Sequence, residues 1–123
     1  MSRRLWCKAQ VHGGTIRVYL TTYKPDDGSG DKCDGTFDSE KGEIEIDASL
    51  SDDKAKMTLL HELLHVCFGG ASGQLRENVL GAKTPEARAT REEMVVSFIE
   101  PVLYDLLVRN GWLRFPKPRR AAK

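Results

Sequence analysis

The chain has 123 residues, 40% of them hydrophobic and 30% charged, and a formal net charge of +1. That length suits one domain with a modest core, and the balanced charge provides no global field to draw the chain to nucleic acid or an acidic membrane. No apolar run is long enough to cross a bilayer, which argues against a helical membrane protein.

The first residues, MSRRLWCK, are basic but have no apolar segment behind them, so they do not read as a signal peptide. Cys7, Cys33 and Cys67 show no C-x-x-C spacing. An odd count without an export signal points to reduced thiols in a cytoplasmic protein. The first segment with strand character is 15–20 (TIRVYL), alternating and rich in β-branched residues, with Gly13 and Gly14 as punctuation before it. His12, beside those glycines, reads as a turn residue. Residues 24–35 are polar and glycine-rich and read as a loop. A hairpin follows, its second arm EIEID at 43–47 burying two isoleucines and turning three carboxylates to the other side.

Ser51, Asp52 and Asp53 supply capping groups and negative charge for a helix expected over 53–68, stopped by Gly69 and Gly70. Residues 71–83 read as a loop or short turn. Thr84 and Pro85 then open a second helix that continues to Asn110 and Gly111, bent or interrupted at Pro101. Residues 1–115 form the expected domain, and the basic stretch 116–123 reads as a flexible tail. Any contact with nucleic acid is confined to weak binding by that tail.

The chemistry sits in the first helix, where His61, Glu62 and His65 form the pattern H-E-x-x-H. Residues i and i+4 stand one above the other on a helix, so both imidazoles can reach one metal ion, with Glu62 beside them to take a proton from metal-activated water. Steps of 100° place Thr58, His61, Glu62 and His65 in one narrow polar stripe on an otherwise apolar helix. Buried polar groups need partners, and a metal supplies one for both rings. Cys67 lies roughly 200° round the helix from His65, so it points away from such a metal and reads as a small core side chain.

Catalytic zinc needs a third protein ligand and keeps its fourth position for water. The extended pattern with glycine and a third histidine is absent, since Phe68 and Ala71 occupy those positions. A carboxylate from the second helix is the natural candidate. Counting from Glu92 in helical steps meets Val95, Val96, Ile99, Leu103 and Leu106, whereas the same steps from Glu93 meet Val96, Ser97, Glu100, Tyr104 and Leu107. The phase favours Glu92 as the third ligand, on the buried face, over Glu93 at the solvent border. No oxyanion stabiliser stands out among Tyr19, Tyr23 and Tyr104.

IEIDASLS at 44–51, TLLHELLH at 58–65 and REEMVVSFI at 91–99 resemble compact gluzincin-type metallopeptidases, closest to ImmA/IrrE-like proteins and small HExxH proteins carried by phages and prophages. The resemblance covers roughly residues 35–110 and implies an α+β, zincin-like fold: a small antiparallel or mixed sheet packed on the HExxH helix and on a long glutamate-bearing helix. It implies Zn2+ as cofactor, a protein or peptide as substrate, and Glu62 as general base. Val96 departs from the family form, which has asparagine or aspartate there, and no helix-turn-helix segment accompanies the domain. The rival expectations are a zinc-binding regulatory or interaction protein with little turnover, and a protein without metal in which the motif is coincidence.

Overall fold

The computed structural model describes residues 2–11, 14–69 and 80–118. Four strands, β1 (Arg3–Val11), β2 (Gly14–Thr21), β3 (Gly35–Asp38) and β4 (Glu43–Asp47), precede the helices α1 (Asp52–Gly69) and α2 (Pro85–Leu103). The strands form one mixed sheet in the order β1-β2-β4-β3. β1 and β3 run antiparallel to their neighbours, and β2 lies parallel to β4. The chain is α+β, as expected.

Both helix starts follow from the capping residues. The Ser51 hydroxyl accepts from the Lys54 N–H at 3.2 Å, and that of Thr84 from the Ala87 N–H at 3.2 Å, with Pro85 opening α2. After Pro101, which has no N–H to give, the winding widens into a π-helical stretch at Tyr104–Arg109. Among the described residues no helix is long and apolar enough to cross a membrane.

The expected hairpin is β3–β4, but β1 was not anticipated, and its register explains why. The pairing with β2 shifts between Leu5 and Cys7, so Leu5 faces solvent while Trp6 is buried. A bulge of this kind breaks the period-2 pattern by which a strand is read. Two further expectations are corrected. Cys67 is exposed rather than in the core. The start of the supposed tail is docked: Phe115 packs against the core, Pro118 is buried, and Trp6 Nε1–H donates to the Pro116 carbonyl at 3.0 Å. The turn role of His12, most of the 71–83 loop and the last residues of the tail lie outside the described residues.

One face of the sheet makes the core, where Ile16, Val18, Leu20, Ile44 and Ile46 meet Ala55, Leu59 and Val66 of α1. Each such large aliphatic side chain stabilises the fold by about 1.5–3 kcal/mol on burial, so α1 is held firmly against the sheet. On the opposite face the carboxylates of β4 all have partners. Arg3 reaches Glu43 at 2.9 Å and Glu45 at 3.3 Å, and the Tyr23 hydroxyl donates to Glu45 at 2.7 Å. Asp47 is buried and accepts from the Ser49 N–H and hydroxyl at 2.9 and 2.8 Å and from Lys24 at 2.9 Å.

Burial alone would raise the Asp47 carboxyl, but Lys24 and the two Ser49 donors outweigh it and hold the group below the ordinary range. A depressed carboxylate stabilises the fold above its unfolded value near ~4, and that contribution fades as pH falls through the folded value. Asp47→Asn should cost about 1–2 kcal/mol at pH 7. In calorimetry its melting temperature should converge on that of the wild type as pH drops below about 4. A gap that stayed constant into acid would contradict this role.

Candidate metal centre

α1 is anchored by its apolar residues to the sheet, and this fixes which stripe looks outward. His61 and His65, one turn apart, hold their ring centroids 5.1 Å apart at an interplanar angle of 64°. Glu62 is buried between them and β3, while Thr58, a turn earlier, is buried with its hydroxyl donating to the Lys54 carbonyl at 2.8 Å. His61, Glu62 and His65 open into a cleft of about 870 Å³, walled by Thr36 and Phe37 of β3 on one side and by Ala89, Glu92 and Glu93 of α2 on the other.

α2 presents three carboxylates to the two rings. Glu92 meets His65 Nδ1 at 2.6 Å, and Glu100 meets His61 Nδ1 at 2.8 Å. Glu93 spans both remaining nitrogens, at 3.2 Å from His61 Nε2 and 2.7 Å from His65 Nε2. His61, His65 and Glu93 form the group of described residues able to hold a metal ion, their ligand atoms lying within 4.8 Å of one another. Among the described residues Glu93 is the carboxylate that reaches both rings, whereas Glu92, the expected third ligand, reaches His65 alone.

The phase reading placed the burial of the two carboxylates correctly: Glu92 is buried and Glu93 exposed. Glu93 lies nearer the solvent side of the cleft and approaches both Nε2 atoms, while Glu92 approaches Nδ1 of His65. Glu100 was passed over, although it lies two turns after Glu93 on the same helical face. Ser97, between them, donates to Glu93 at 3.2 Å.

Hydrogen-bond chemistry tests whether a cation fits. A neutral ring that donates from Nδ1 to a carboxylate presents a lone pair at Nε2. Both rings have a carboxylate at Nδ1, and in the tautomer that donates to it two lone pairs and the acceptor-only carboxylate of Glu93 converge on one point. Acceptors can meet at such distances only if protons or a cation lie among them. Two imidazolium rings this close would repel each other, and a divalent ion removes that cost. Carboxylates behind ligating imidazoles also fix the ring tautomer and raise ligand basicity. The donor set fits a divalent metal.

The titrations agree with a crowded, half-buried acidic site. Burial alone would lower the His65 ring, but the Glu92 bond and the charges of Glu62 and Glu93 hold it above its usual range. Burial pushes the Glu62 carboxyl up to about 7; His65 opposes the rise, while Glu93 and Glu100 add to it.

None of the three tyrosines lines the cleft. Tyr104 is buried with its hydroxyl on Asp53 of α1, Tyr23 bonds Glu45, and Tyr19 lies under the Arg3 guanidinium. β4 is paired on both sides, and among the described residues β3 is an edge strand. β3 can approach because position 35 is glycine: a Cβ there would stand 2.7 Å from Thr58 Cγ2 and 3.6 Å from Glu62 Cγ.

Comparison with protein-family models, with curated proteins and with solved structures gives no match for this chain. Its chemistry is therefore inferred from its own side chains. Gly35→Ala should destabilise the protein by about 1–3 kcal/mol through overpacking of β3 on α1. Thr58→Ser, which removes the nearer obstruction, should recover part of that loss in urea denaturation, the Glu45 carbonyl still standing 3.2 Å from the added Cβ. If the double variant were no more stable than Gly35→Ala, the contact at Thr58 would not be the constraint.

Proposed function

We propose that this chain is a zinc-dependent metallopeptidase of zincin-like fold, with zinc held by His61, His65 and Glu93. The observation that carries this reading is the convergence of both Nε2 atoms on the Glu93 carboxylate, beside the buried Glu62. Zinc in such a site supplies Lewis acidity, polarising a carbonyl oxygen and making water a nucleophile near neutral pH.

The protein's own groups supply the rest. Glu92 and Glu100 lock the rings from behind, so the nitrogens facing the cleft keep their lone pairs free for the metal. Glu62 accepts the proton of the attacking water and returns it to the departing amine nitrogen. Among the described residues β3 is paired on one side only, which suits an extended peptide adding as a further strand across the cleft. The substrate on this reading is a protein or peptide. The two helices and the mixed sheet are compatible with the gluzincin resemblance in arrangement.

A second reading is a zinc-binding regulatory or interaction protein with little turnover. It is favoured by the cleft lining, which among the described residues includes no lysine, arginine or tyrosine to stabilise an oxyanion. Glu62→Gln separates the two. On the enzymatic reading it retains zinc, while peptide-library hydrolysis falls by about 10²-fold or more. If wild type and Glu62→Gln were equally inert with zinc bound, the second reading would replace the first.

The ligand assignment has its own test in metal titration. Glu93→Ala should weaken zinc binding more than Glu92→Ala or Glu100→Ala, which should each cost about 10–100-fold as supporting groups. A larger loss in Glu92→Ala would return the ligand role to that residue.

A further inference from the structure

α2 and the π-helical stretch that follows it carry a second face that the site does not use. Met94, Phe98, Val102 and Leu106 repeat every four residues and are 66%, 79%, 64% and 47% exposed. Helical stepping places this stripe opposite Glu92 and Val96, which are buried toward α1. A stripe of large apolar side chains is costly to leave in water, and its geometry points to one kind of occupant.

We propose that this face is a self-association surface, on which two copies of the chain pack α2 against α2, antiparallel, about a two-fold axis at Phe98. In such a pair a residue n places before Phe98 faces the residue n places after it on the other copy. Met94 then meets Val102, and Phe98 meets its own counterpart. Seven places out, exposed Arg91 faces exposed Asp105, so opposite charges flank the apolar centre at both ends. Arg91 spends one guanidinium nitrogen on the Leu80 and Gly81 carbonyls, and Asp105 one oxygen on Arg109. Each retains further atoms for a second partner.

The area is sufficient for a modest specific interface. An aromatic side chain covers about 150–250 Å² when buried, so Phe98 with its three aliphatic neighbours offers roughly 400 Å² per copy. A pair removes roughly 800 Å² of apolar surface. With the usual polar share this amounts to about 1,200 Å² in all, where specific interfaces begin. The site and its cleft lie on the other side of α2 and remain open in the pair.

Sedimentation at roughly 100 µM protein, well above a micromolar dissociation constant, tests this directly. Wild type should run at twice the 13.8 kDa of one chain. Phe98→Asp and Val102→Glu, both exposed and so harmless to the fold by circular dichroism, should run as single chains. Arg91→Asp should weaken the pair about tenfold, since the like charges it creates occur twice across the axis, and Arg91→Asp with Asp105→Arg should restore it. A single-chain mass for the wild type, a pair that survives Phe98→Asp, or a double charge swap no stronger than the single one would overturn the proposal.

Discussion

Two imidazole nitrogens and a carboxylate meet at one point between α1 and α2, and the rest of the site is arranged round them. His61 and His65 reach that point because four residues make just over one helical turn. Glu93 reaches it because α2 runs past with its carboxylates turned toward the rings. Such a junction is satisfied by protons on the rings or by a cation among the three groups. A divalent cation would therefore serve structure as well as chemistry, tying together two helices that otherwise meet through ion pairs and a thin apolar seam.

The layers behind that point divide the work. The sheet holds α1 through Ile44, Ile46 and Leu59, so the two rings inherit a fixed platform. Glu92 and Glu100 hold each ring from its far side, and Glu93 is left facing the cleft. Gly35 lets β3 come within contact of Thr58 and Glu62, which narrows the cleft and shields the Glu62 carboxyl from water. The raised Glu62 carboxyl follows from that shielding more than from any one neighbour. α2 serves two surfaces at once, acidic toward the rings and apolar on the face turned away.

Local signals were legible in the sequence where one short segment carried the whole message. The H-E-x-x-H stripe, the Ser51 and Thr84 caps and the alternation of EIEID each depend on neighbours a few residues apart. β1 was not legible, because the bulge at Trp6 scrambles its alternation, and the docking of Pro116 on Trp6 joins residues too distant for any local pattern to link. Cys67 looked like a core residue by type, yet it faces solvent near the end of α1. The contacts of Glu92 and Glu93 were not legible for a different reason. Helical phase reports which side chain is buried, not which carboxylate comes within reach of both rings.

X-ray absorption at the zinc edge, on protein purified without added metal and then loaded with one equivalent, tests the centre of this account most directly. The expected spectrum has two imidazole nitrogens at about 2.0–2.1 Å with carboxylate and water oxygens completing the shell. A sulfur shell at about 2.3 Å would place zinc on a cysteine such as Cys33 of the cleft wall. Either that result or failure to retain zinc at all would contradict a centre built from His61, His65 and Glu93.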